Sequence, residues 1–307
     1  MYYELIIIGG GPAGMTAGIY AARQKLNTLL ITKDFGGQVS LKAVAIENYP
    51  GFYRISGEEL IQKFENHLKK QKIDIEMDEV IKLTKTDSKF LVLTKKKKKI
   101  ETKAIIVASG ADPRPLEVAG EKKFIGKGVS YCVTCDGPLF EDKTVAIVGG
   151  GNAGFEAAIF LAKYAKKIYI LEYAPNIMAD ETSQGKVKKT GKVEIITQVA
   201  LQEIKGKEFV DSVVYQDMGT KKISKLLVDG VFVEIGSQPA TSFLRDLVDF
   251  NKRDEIKVDF ETYQTKTPGL FAVGDVNIGK SKQIVTACGE GSKAAIAAYD
   301  YIEHYDK

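Results

Sequence analysis

The chain alternates short apolar runs of strand length with Ala-rich stretches of helical character. The run "ELIII" (4–8) is followed by "GGGPAG" (9–14), the Ala-rich stretch "MTAGIYAARQ" (15–24) and a second apolar run, "NTLLIT" (27–32). Short Ile- and Leu-rich runs are typical of buried strands, and Ala has the strongest preference for helices. The pattern predicts a strand, a turn, a helix and a strand, which together form a βαβ unit.

The same pattern recurs over residues 144–171, where "GGGNAG" (149–154) separates an apolar run from an Ala-rich stretch. The two segments share one glycine spacing: Gly9, Gly11 and Gly14 in the first, Gly149, Gly151 and Gly154 in the second. Glycines at this spacing permit a tight turn, let a pyrophosphate approach the backbone, and let the helix pack closely on the strand with its N-terminus facing the phosphates. One copy is a weak signal, but two copies in the same context indicate two dinucleotide sites.

The residue at the end of the second strand distinguishes the two sites. Glu172 lies 23 residues after Gly149, close to the spacing of about 20 at which an acid accepts from the ribose 2′-hydroxyl of NAD. The matching position in the first unit is Thr32, with Asp34 two residues further along. We therefore expect FAD at the first site and a nicotinamide nucleotide at the second. The alternative for Glu172 is a surface carboxylate that ends a strand.

Two breaks divide the chain into domains. The Pro-rich segment "ADPRP" (111–115) follows a buried apolar run, and "SQPATSFL" (237–244) follows the last strands of the middle region. The fold class that we predict is α/β, with two Rossmann-like dinucleotide-binding domains, the second inserted into the first. The predicted segments are 1–113 and 245–307 for the FAD domain and 114–244 for the NAD(P)H domain.

The segments between these motifs predict further elements. They are an amphipathic helix at 57–71, strands at 74–85 and 89–94, a solvated turn in the lysine run 95–99, strands within 192–206, 209–217 and 222–236, a strand at 269–276 and a closing helix at 291–305.

Charge and run length argue against two classes of protein. The net charge of +4 is too small to indicate a nucleic-acid-binding surface. The N-terminus "MYYELIIIGGG" lacks the basic and long apolar regions of a signal peptide, and no run approaches the roughly 20 apolar residues of a membrane span. Three cysteines cannot build a disulfide framework, so a cytoplasmic location is expected.

Two of the three cysteines, Cys132 and Cys135, stand two residues apart and are followed at once by Asp136. A zinc site would need two further ligands, and the only histidines, His67 and His304, are each isolated. We therefore expect no metal and a redox-active dithiol, whose electrons come from the neighbouring dinucleotide sites.

Asp136 is the candidate general acid or base beside the two thiols. Its alternative role is to cap a helix or turn, because Asp before Gly is a common turn signal. The third cysteine, Cys288, is expected to be a small core residue, as most unpaired cysteines are.

Two glycine-rich units, a CxxCD segment before the second and the late "FAVGD" (271–275) together resemble the low-molecular-weight thioredoxin reductases over essentially the whole chain. Within that family, "GVSYCVTCDGPLF", "GGGNAGFEAAI", "LEYAPNIMADE" and "ACGEGSKAA" are most similar to the C-terminal flavoprotein part of alkyl hydroperoxide reductase. The resemblance implies FAD in the discontinuous domain, a nicotinamide nucleotide in the inserted domain, and a homodimer.

The resemblance also assigns cofactor roles to single residues. Segments 9–14, 36–38 and 282–287 match parts that line the FAD, and Asp275 matches the acid near the flavin's ribityl and phosphate groups; its alternative is an exposed acid in a tight turn. The candidate cofactor-binding residues are Gly9, Gly11, Pro12, Ala13, Gly14, Thr32, Gly36, Gly37, Gln38, Asn48, Gly110, Gly149, Gly151, Asn152, Ala153, Gly154, Glu172, Gly236, Gly274, Asp275, Lys282, Gln283 and Ile284.

The chain departs from the family pattern in two places. NADPH-using members carry a His-Arg-Arg cluster where this chain has Glu172 to Pro175, and no basic residue follows until Lys186. A carboxylate repels a 2′-phosphate and accepts from a 2′-hydroxyl, so NADH is expected over NADPH. The chain also begins directly at the FAD strand, without the N-terminal thioredoxin-like part of the hydroperoxide reductase flavoprotein, so a separate thiol carrier is expected.

The resemblance implies that electrons pass from NAD(P)H to FAD, to the Cys132–Cys135 disulfide, and then to a thioredoxin-like or glutaredoxin-like protein. The family assigns Cys135 to the flavin and Cys132 to the partner, although the CxxC spacing alone does not decide this. The alternatives are the electron donor of a peroxide-reducing system, an NADH oxidase, a flavin-binding sensor that no longer turns over, and a ferredoxin-fed reductase. The intact CxxC argues against the oxidase, and "GGGNAG" argues against the ferredoxin-fed variant.

Overall fold

The computed structural model describes residues 2–42, 46–86, 89–244 and 246–304. The chain forms two compact units: Met1–Asp112 with Gln238–Lys307 is the first unit, and Pro113–Ser237 is the second. Residues 238–244, which the sequence analysis places in the inserted domain, belong to the first unit. Among the described residues, none of the helices has the length and apolar character that crossing a membrane requires.

The elements are numbered along the chain. The strands are β1 (Tyr2–Gly10), β2 (Thr28–Phe35), β3 (Asp74–Met77), β4 (Val80–Lys85), β5 (Phe90–Thr94), β6 (Lys99–Val107), β7 (Ala111–Pro113), β8 (Val129–Ser130), β9 (Thr144–Val148), β10 (Lys167–Leu171), β11 (Val193–Ile196), β12 (Val199–Gly206), β13 (Val210–Asp217), β14 (Ile223–Leu227), β15 (Gly230–Val233), β16 (Ser237–Pro239) and β17 (Leu270–Ala272). The helices are α1 (Pro12–Arg23), α2 (Gln38–Lys42), α3 (Gly57–Lys69), α4 (Glu121–Phe124), α5 (Val133–Asp136), α6 (Asn152–Leu161), α7 (Glu181–Thr190) and α8 (Ile284–Glu303), with 3₁₀ turns at Gly137–Phe140, Ser242–Leu244 and Gly274–Val276.

The first unit is built on a seven-stranded sheet in the order β3-β2-β1-β6-β5-β4, with β17 also paired to β6. The pairs among β3, β2, β1, β6 and β17 are parallel, whereas β5 and β4 join in antiparallel fashion. Strand β1 lies in the middle, and the run Leu5–Ile8 is buried on both faces. Helices α1 and α8 pack on the face of Leu5 and Ile7, and a second apolar cluster with Leu244 and Val248 covers the face of Ile6 and Ile8. Because both faces are covered, the strand reads as a continuous apolar run.

The second unit holds a five-stranded parallel sheet in the order β11-β10-β9-β15-β8. Helix α6 covers one face through Phe155 and Leu161, and the antiparallel sheet β12-β13-β14 contributes Val213 to the core on the other. Strand β15 lies between β9 and β8, so a strand from late in the chain separates two that come earlier. In each unit a glycine-rich loop follows a central strand. The loop leaves the sheet at the carboxyl ends of its parallel strands.

Three predicted elements differ from those observed. The strand predicted at 269–276 is limited to β17 (Leu270–Ala272), because Gly274–Val276 forms a 3₁₀ turn. The single strand predicted at 74–85 is two strands, because Asp78 turns the chain: its carboxylate accepts from the backbone N–H of Glu79 at 2.8 Å and of Lys96 at 3.3 Å. The closing helix begins at Ile284, well before the predicted 291, so the segment 284–287 forms its first turn. The segment between the predicted strands 74–85 and 89–94 includes residues 87–88, which lie outside the described residues.

A buried carboxylate fixes the segment that enters the redox pair. Glu121 is 2% exposed and accepts from the backbone N–H groups of Leu116 and Glu117, at 2.7 and 2.9 Å. The hydroxyl of Tyr131, the residue before Cys132, donates to the same carboxylate. The start of the second unit and the strand leading to the cysteines are therefore tied to one side chain.

We expect Glu121→Ala to lower the free energy of unfolding of the second unit by about 1–3 kcal/mol, because three donors lose their acceptor. Glu208→Ala, at an exposed position of the same unit, should change it by less than about 0.5 kcal/mol. Urea unfolding followed by circular dichroism measures both. Equal losses in the two variants would contradict the structural role of Glu121.

Candidate functional site

The first glycine loop brings the start of α1 against the end of β1. A Cβ added at Gly14 would lie 1.9 Å from the carbonyl oxygen of Gly9, and one added at Gly9 would lie 2.2 Å from that of Ala108. Gly9 also has a φ of +115°, which residues with a Cβ rarely adopt. At Gly11, by contrast, no heavy atom lies within 4 Å of the position that a Cβ would take. This loop is closed on the protein side and open at its outer face, next to the first N–H groups of a helix that begins with Pro12.

The second loop repeats this geometry. A Cβ at Gly154 would lie 1.9 Å from the carbonyl oxygen of Gly149, and one at Gly149 would lie 2.5 Å from that of Glu234. The surroundings of Gly151 are again open within 4 Å. Asn152 and Ala153 are exposed in the first turn of α6, and the Asn152 side-chain oxygen accepts from the N–H of Asp180 at 2.8 Å.

Several residues assigned to FAD lie at the carboxyl edge of the first sheet. The N–H of Gly36 donates to the carbonyl of Gly10 at 2.9 Å, and Gly36 and Gly37 have positive φ angles. The Thr32 hydroxyl is held by the carbonyl of Asp34 at 2.5 Å, and the Gln38 side chain donates to the carbonyl of Ala111. The structure thus ties the segment after β2 to the first glycine loop.

A second group of FAD candidates comes from the end of the chain. The Asn48 amide donates to the side-chain oxygen of Gln283 at 3.1 Å, and Ile284 begins α8 beside it. A Cβ at Gly274 would lie 3.3 Å from the Cβ of Ala13, so the turn that carries Asp275 lies on the start of α1. Burial raises the pKa of the Asp275 carboxyl, the nearby Lys282 acting in the opposite direction.

A buried network that the sequence analysis did not identify supports this turn. Glu290 is 6% exposed, and its carboxylate accepts from the N–H of Gly274 and the amide of Asn277, each at 2.7 Å. The Lys282 ammonium donates to the carbonyls of Asp275 and Asn277 and pairs with Glu255 at 3.2 Å. The signal that could have revealed Glu290 is an acid between two glycines within an Ala-rich helix.

These features test whether the first unit fits FAD. A dinucleotide needs a loop whose backbone a pyrophosphate can approach, and the open face at Gly11 provides it. The buried Glu290 fixes the turn of Asp275 beside this loop, so a carboxylate is available for hydroxyl groups of the ligand. The residues present therefore fit the group.

Gly110 and Gly236 lie where the chain passes between the units. Their φ angles are +70° and +96°, and no heavy atom lies within 4 Å of the position a Cβ would take. The carbonyl of Gly110 accepts from the N–H of Ala240 at 3.2 Å, and that of Gly236 accepts from the N–H of Arg114 at 2.9 Å. Both are left-handed turns with open surroundings, and their cofactor role stays a prediction.

Glu172 is held against the second glycine loop. One carboxylate oxygen accepts from the N–H of Gly150 and the other from the N–H of Ala174, the latter at 2.7 Å. The side chain is half-buried, and Tyr173 beside it is exposed. Each carboxylate oxygen has a second lone pair, so a ribose hydroxyl could still be accepted. The sequence predicts an acid at this position, whereas its bonds to the loop appear only in the structure.

Cys132 and Cys135 form a disulfide, with their Cα atoms 5.3 Å apart. Cys132 stands at the start of the single-turn helix α5, and its carbonyl accepts from the N–H groups of Cys135 and Asp136 at 3.2 and 3.1 Å. Its own N–H donates to the Ser130 hydroxyl at 3.0 Å. Cys135 is exposed and Cys132 half-buried.

Asp136 lies directly after this pair. Burial raises the pKa of its carboxyl above the usual range, and a hydrogen bond with Ser130 acts in the opposite direction. Ser130 therefore contacts both Asp136 and the backbone of Cys132. A carboxyl with a raised pKa keeps its proton at higher pH, which suits a group that protonates a leaving thiolate.

A second carboxyl with a raised pKa was not identified from the sequence. Glu234 follows β15 directly, and burial, with the nearby charge of Glu156 second, raises the pKa of its carboxyl to about 7. The available signal is an acid that directly follows a fully buried apolar strand. Cys288, by contrast, is half-buried near the carbonyl of Pro12 and the hydroxyl of Tyr49, and burial raises the pKa of its thiol.

Across the described ranges of the chain, no three His, Cys, Asp or Glu side chains are grouped so that they could hold a metal ion. The groups that could bind a ligand or react are therefore the two glycine loops, the disulfide and the carboxyl groups.

The similarity of the chain to known proteins agrees with this combination of two glycine loops and a disulfide. The family described as "Pyridine nucleotide-disulphide oxidoreductase" matches residues 3–291. The chain belongs to this family. The thioredoxin reductase of Streptococcus pyogenes MGAS5005 has the same fold, with a TM-score of 0.93, 36% identity and 98% of each chain covered. That of Giardia duodenalis also has a TM-score of 0.93, at 31% identity over 98% of this chain and 99% of its own. The α/β fold with two Rossmann-like units is thereby confirmed.

Curated relatives point to a neighbouring branch of the family. The F subunit of alkyl hydroperoxide reductase from Staphylococcus aureus (strain Mu50 / ATCC 700699) is 40% identical over 301 residues, which are 98% of this chain and 59% of the relative. The corresponding protein of Staphylococcus epidermidis (strain ATCC 12228 / FDA PCI 1200) is 39% identical over the same share. This chain therefore spans a little under two thirds of the length of these relatives. The predicted resemblance is confirmed for both groups.

We expect Gly11→Ala and Gly14→Ala to fail in different ways. Gly14→Ala should destabilise the apoprotein by roughly 1–3 kcal/mol or more, because its methyl would overlap a backbone carbonyl. Gly11→Ala should leave the apoprotein stable and weaken FAD binding about tenfold or more, because its methyl enters the open face of the loop. Thermal unfolding of apoprotein and titration with FAD separate the effects. Equal stability of the two apoproteins would contradict the steric argument.

Proposed function

We propose that this protein is an FAD-dependent NAD(P)H:disulfide oxidoreductase that favours NADH and reduces a disulfide on a thioredoxin-like or glutaredoxin-like protein. The observation that carries the proposal is the Cys132–Cys135 disulfide within the unit that holds the second glycine loop. Membership of the pyridine nucleotide-disulphide oxidoreductase family supports the reaction class. The thioredoxin reductases that share the fold support the choice of partner.

The two units divide the cofactor work. In the first, the open loop at Gly11 and the turn of Asp275 would hold FAD, with Asn48 and Gln283 at the same edge. In the second, the open loop at Gly151 would hold the nicotinamide nucleotide. When bound, FAD supplies a two-electron carrier between the nicotinamide nucleotide and the disulfide.

The chain's own residues manage the sulfur chemistry. Reduction breaks the S–S bond and adds two electrons and two protons, so NAD(P)H, one further proton and the disulfide yield NAD(P)⁺ and a dithiol. Cys132 then attacks the partner's disulfide, and Cys135 resolves the mixed disulfide and restores the starting bond. Burial raises the pKa of the Asp136 carboxyl and so favours its protonated form, which supports its assignment as the group that supplies the further proton. Ser130 contacts both Asp136 and the backbone of Cys132.

A second candidate is the electron donor of a peroxide-reducing system. The 40% identity to the F subunit of alkyl hydroperoxide reductase favours it. Both candidates share the same steps as far as the dithiol, and they differ in the protein that oxidises it. Steady-state NADH oxidation with thioredoxin, with glutaredoxin and with a peroxiredoxin plus peroxide would rank the partners.

A cytoplasmic homodimer belongs to the proposal and rests on the cysteine count and the family resemblance.

We expect the Cys135→Ser protein to bind FAD and to consume about one equivalent of NADH per chain in the absence of oxygen, against about two for the wild type. The difference is the disulfide, which accepts its own electron pair. Anaerobic titration of the flavin absorbance measures the stoichiometry, and Cys288→Ser serves as the control that should keep the wild-type value. Equal uptake by wild type and Cys135→Ser would show that the pair does not accept electrons.

We expect the wild type to favour NADH over NADPH, and Glu172→Gln to reduce that preference about ten- to hundredfold, because a charge-assisted hydrogen bond contributes roughly 1.5–3 kcal/mol. Gln is preferred to Ala here because its amide oxygen can still accept from one of the two backbone N–H groups, those of Gly150 and Ala174, that the carboxylate oxygens accept from. The exposed Glu181→Gln, in the same unit, is the control. The ratio of kcat/KM for the two nucleotides decides. A wild type that favours NADPH, or an unchanged ratio in Glu172→Gln, would remove Glu172 as the determinant.

A further inference from the structure

Glu234 is the first residue after strand β15 of the second unit, and it lies beside the glycine loop. In the parallel pairing of β15 with β9, Val233 lies opposite Val148, so Glu234 follows in the row of Gly149. The N–H of Glu234 donates to the carbonyl of Val148 at 2.9 Å, and its own carbonyl is what a Cβ at Gly149 would strike. On the other side β15 pairs with β8, where Phe232 lies opposite Ser130 at the end of that strand. The backbone of Glu234 therefore lies directly against the start of the nucleotide loop.

The surroundings of this carboxyl disfavour its charged form. It is half-buried and, among the described residues, receives no hydrogen bond that would stabilise a carboxylate. From helix α6, Glu156 faces it with a second negative charge. The flanking strand β9 ends in the uncharged Val148. Helix α5, which comes after β8, ends with the carboxyl of Asp136. Glu172 directly follows β10, and its carboxylate accepts from two backbone N–H groups. The carboxyl edge of this sheet is thus acidic where an anionic dinucleotide would lie.

We infer that Glu234 must be uncharged for the dinucleotide to bind tightly, so that nucleotide binding to the second unit takes up a proton. This inference rests on the proposed function, in which the loop from Gly149 to Gly154 binds the nicotinamide nucleotide. The pyrophosphate brings two negative charges to the loop, and an ionised Glu234 beside Gly149 repels them across a poorly solvated edge. Glu234 is a residue that sets affinity, and it takes no part in the sulfur chemistry.

The direction of the pH effect follows from the state that binds. With a pKa of about 7, Glu234 is neutral below that pH and ionised above it. Affinity is therefore highest at low pH and falls as pH rises through the pKa, while the bound state holds the proton that the free state has lost. Both histidines, His67 and His304, lie in the first unit, and the two cysteines of the second form a disulfide. A transition near neutral pH in nucleotide binding is therefore not the work of a histidine or thiol of the second unit.

The test is calorimetric titration of the oxidised, FAD-loaded protein with NAD⁺, which binds without transferring electrons. Measurements at about pH 6 and about pH 8.5, each in two buffers of different ionisation enthalpy, give the Kd and the number of protons taken up. We expect the wild-type Kd to rise roughly three- to thirtyfold over this range, with net proton uptake at the upper pH. Glu234→Gln should bind at both pH values with the wild-type affinity of low pH and without uptake.

Two further variants sharpen the interpretation. Glu156→Gln should shift the transition of the wild type to lower pH, because it removes the charge that helps keep Glu234 neutral. Glu194→Gln, an exposed acid of β11 paired with Lys167, should keep the wild-type transition. The thermal midpoint of Glu234→Gln at the upper pH should equal or exceed that of the wild type, since ionising a half-buried carboxyl destabilises the native state.

The outcomes separate the two claims. A Kd that does not change with pH in the wild type, or the same change in Glu234→Gln, overturns the inference and leaves the proposed function standing. Failure of the wild type to bind NAD⁺ and NADH at either pH overturns the proposed nucleotide site and the inference with it. A transition lost in Glu234→Gln and kept in Glu194→Gln supports the assignment.

Discussion

The contact between the start of a helix and the end of a strand is the constraint on which both nucleotide loops depend. At Gly14 against Gly9, and at Gly154 against Gly149, a Cβ would lie 1.9 Å from a carbonyl oxygen, so only glycine permits the approach. The approach leaves an open backbone face at Gly11 and Gly151 beside the helix N-terminus. The same constraint, met twice in one chain, produces two sites of one geometry on two separate sheets.

The acids at the edges of these sheets fall into two groups, which differ in the number of hydrogen-bond donors that stabilise the charged carboxylate. Glu172 and Glu290 accept from backbone N–H groups, and in doing so they fix the loops that they touch. Asp136 and Glu234 are shielded from water with fewer such donors, and burial raises the pKa of both carboxyls. The first group fixes backbone positions, whereas burial in the second group favours the protonated form of the carboxyl.

The network around Glu290 shows how the discontinuous first unit is joined. Its carboxylate, on the helix that closes the chain, fixes the turn of Asp275, and that turn lies on the start of α1 through Gly274 and Ala13. Residues from the beginning and the end of the chain therefore build one edge. The inserted unit interrupts the sequence of this domain without interrupting its core, because α1 and α8 pack on the same sheet.

The sequence by itself determined the parts of this protein that depend on neighbouring residues. Buried parallel strands read as apolar runs, the glycine spacing follows from a local steric requirement, and the CxxC pair lies within one turn, so the fold class, both loops and the disulfide were all predictable. Only the tertiary structure decided what depends on distant partners. It divided the predicted strand 74–85 through the bonds of Asp78, gave Glu172 and Glu290 their N–H donors, and set Glu234 between Gly149 and Glu156. The burial and charge around a carboxyl come from elements far apart in the chain, so a local signal such as an acid after a buried apolar strand marks a candidate without giving its hydrogen-bond partners or its pKa.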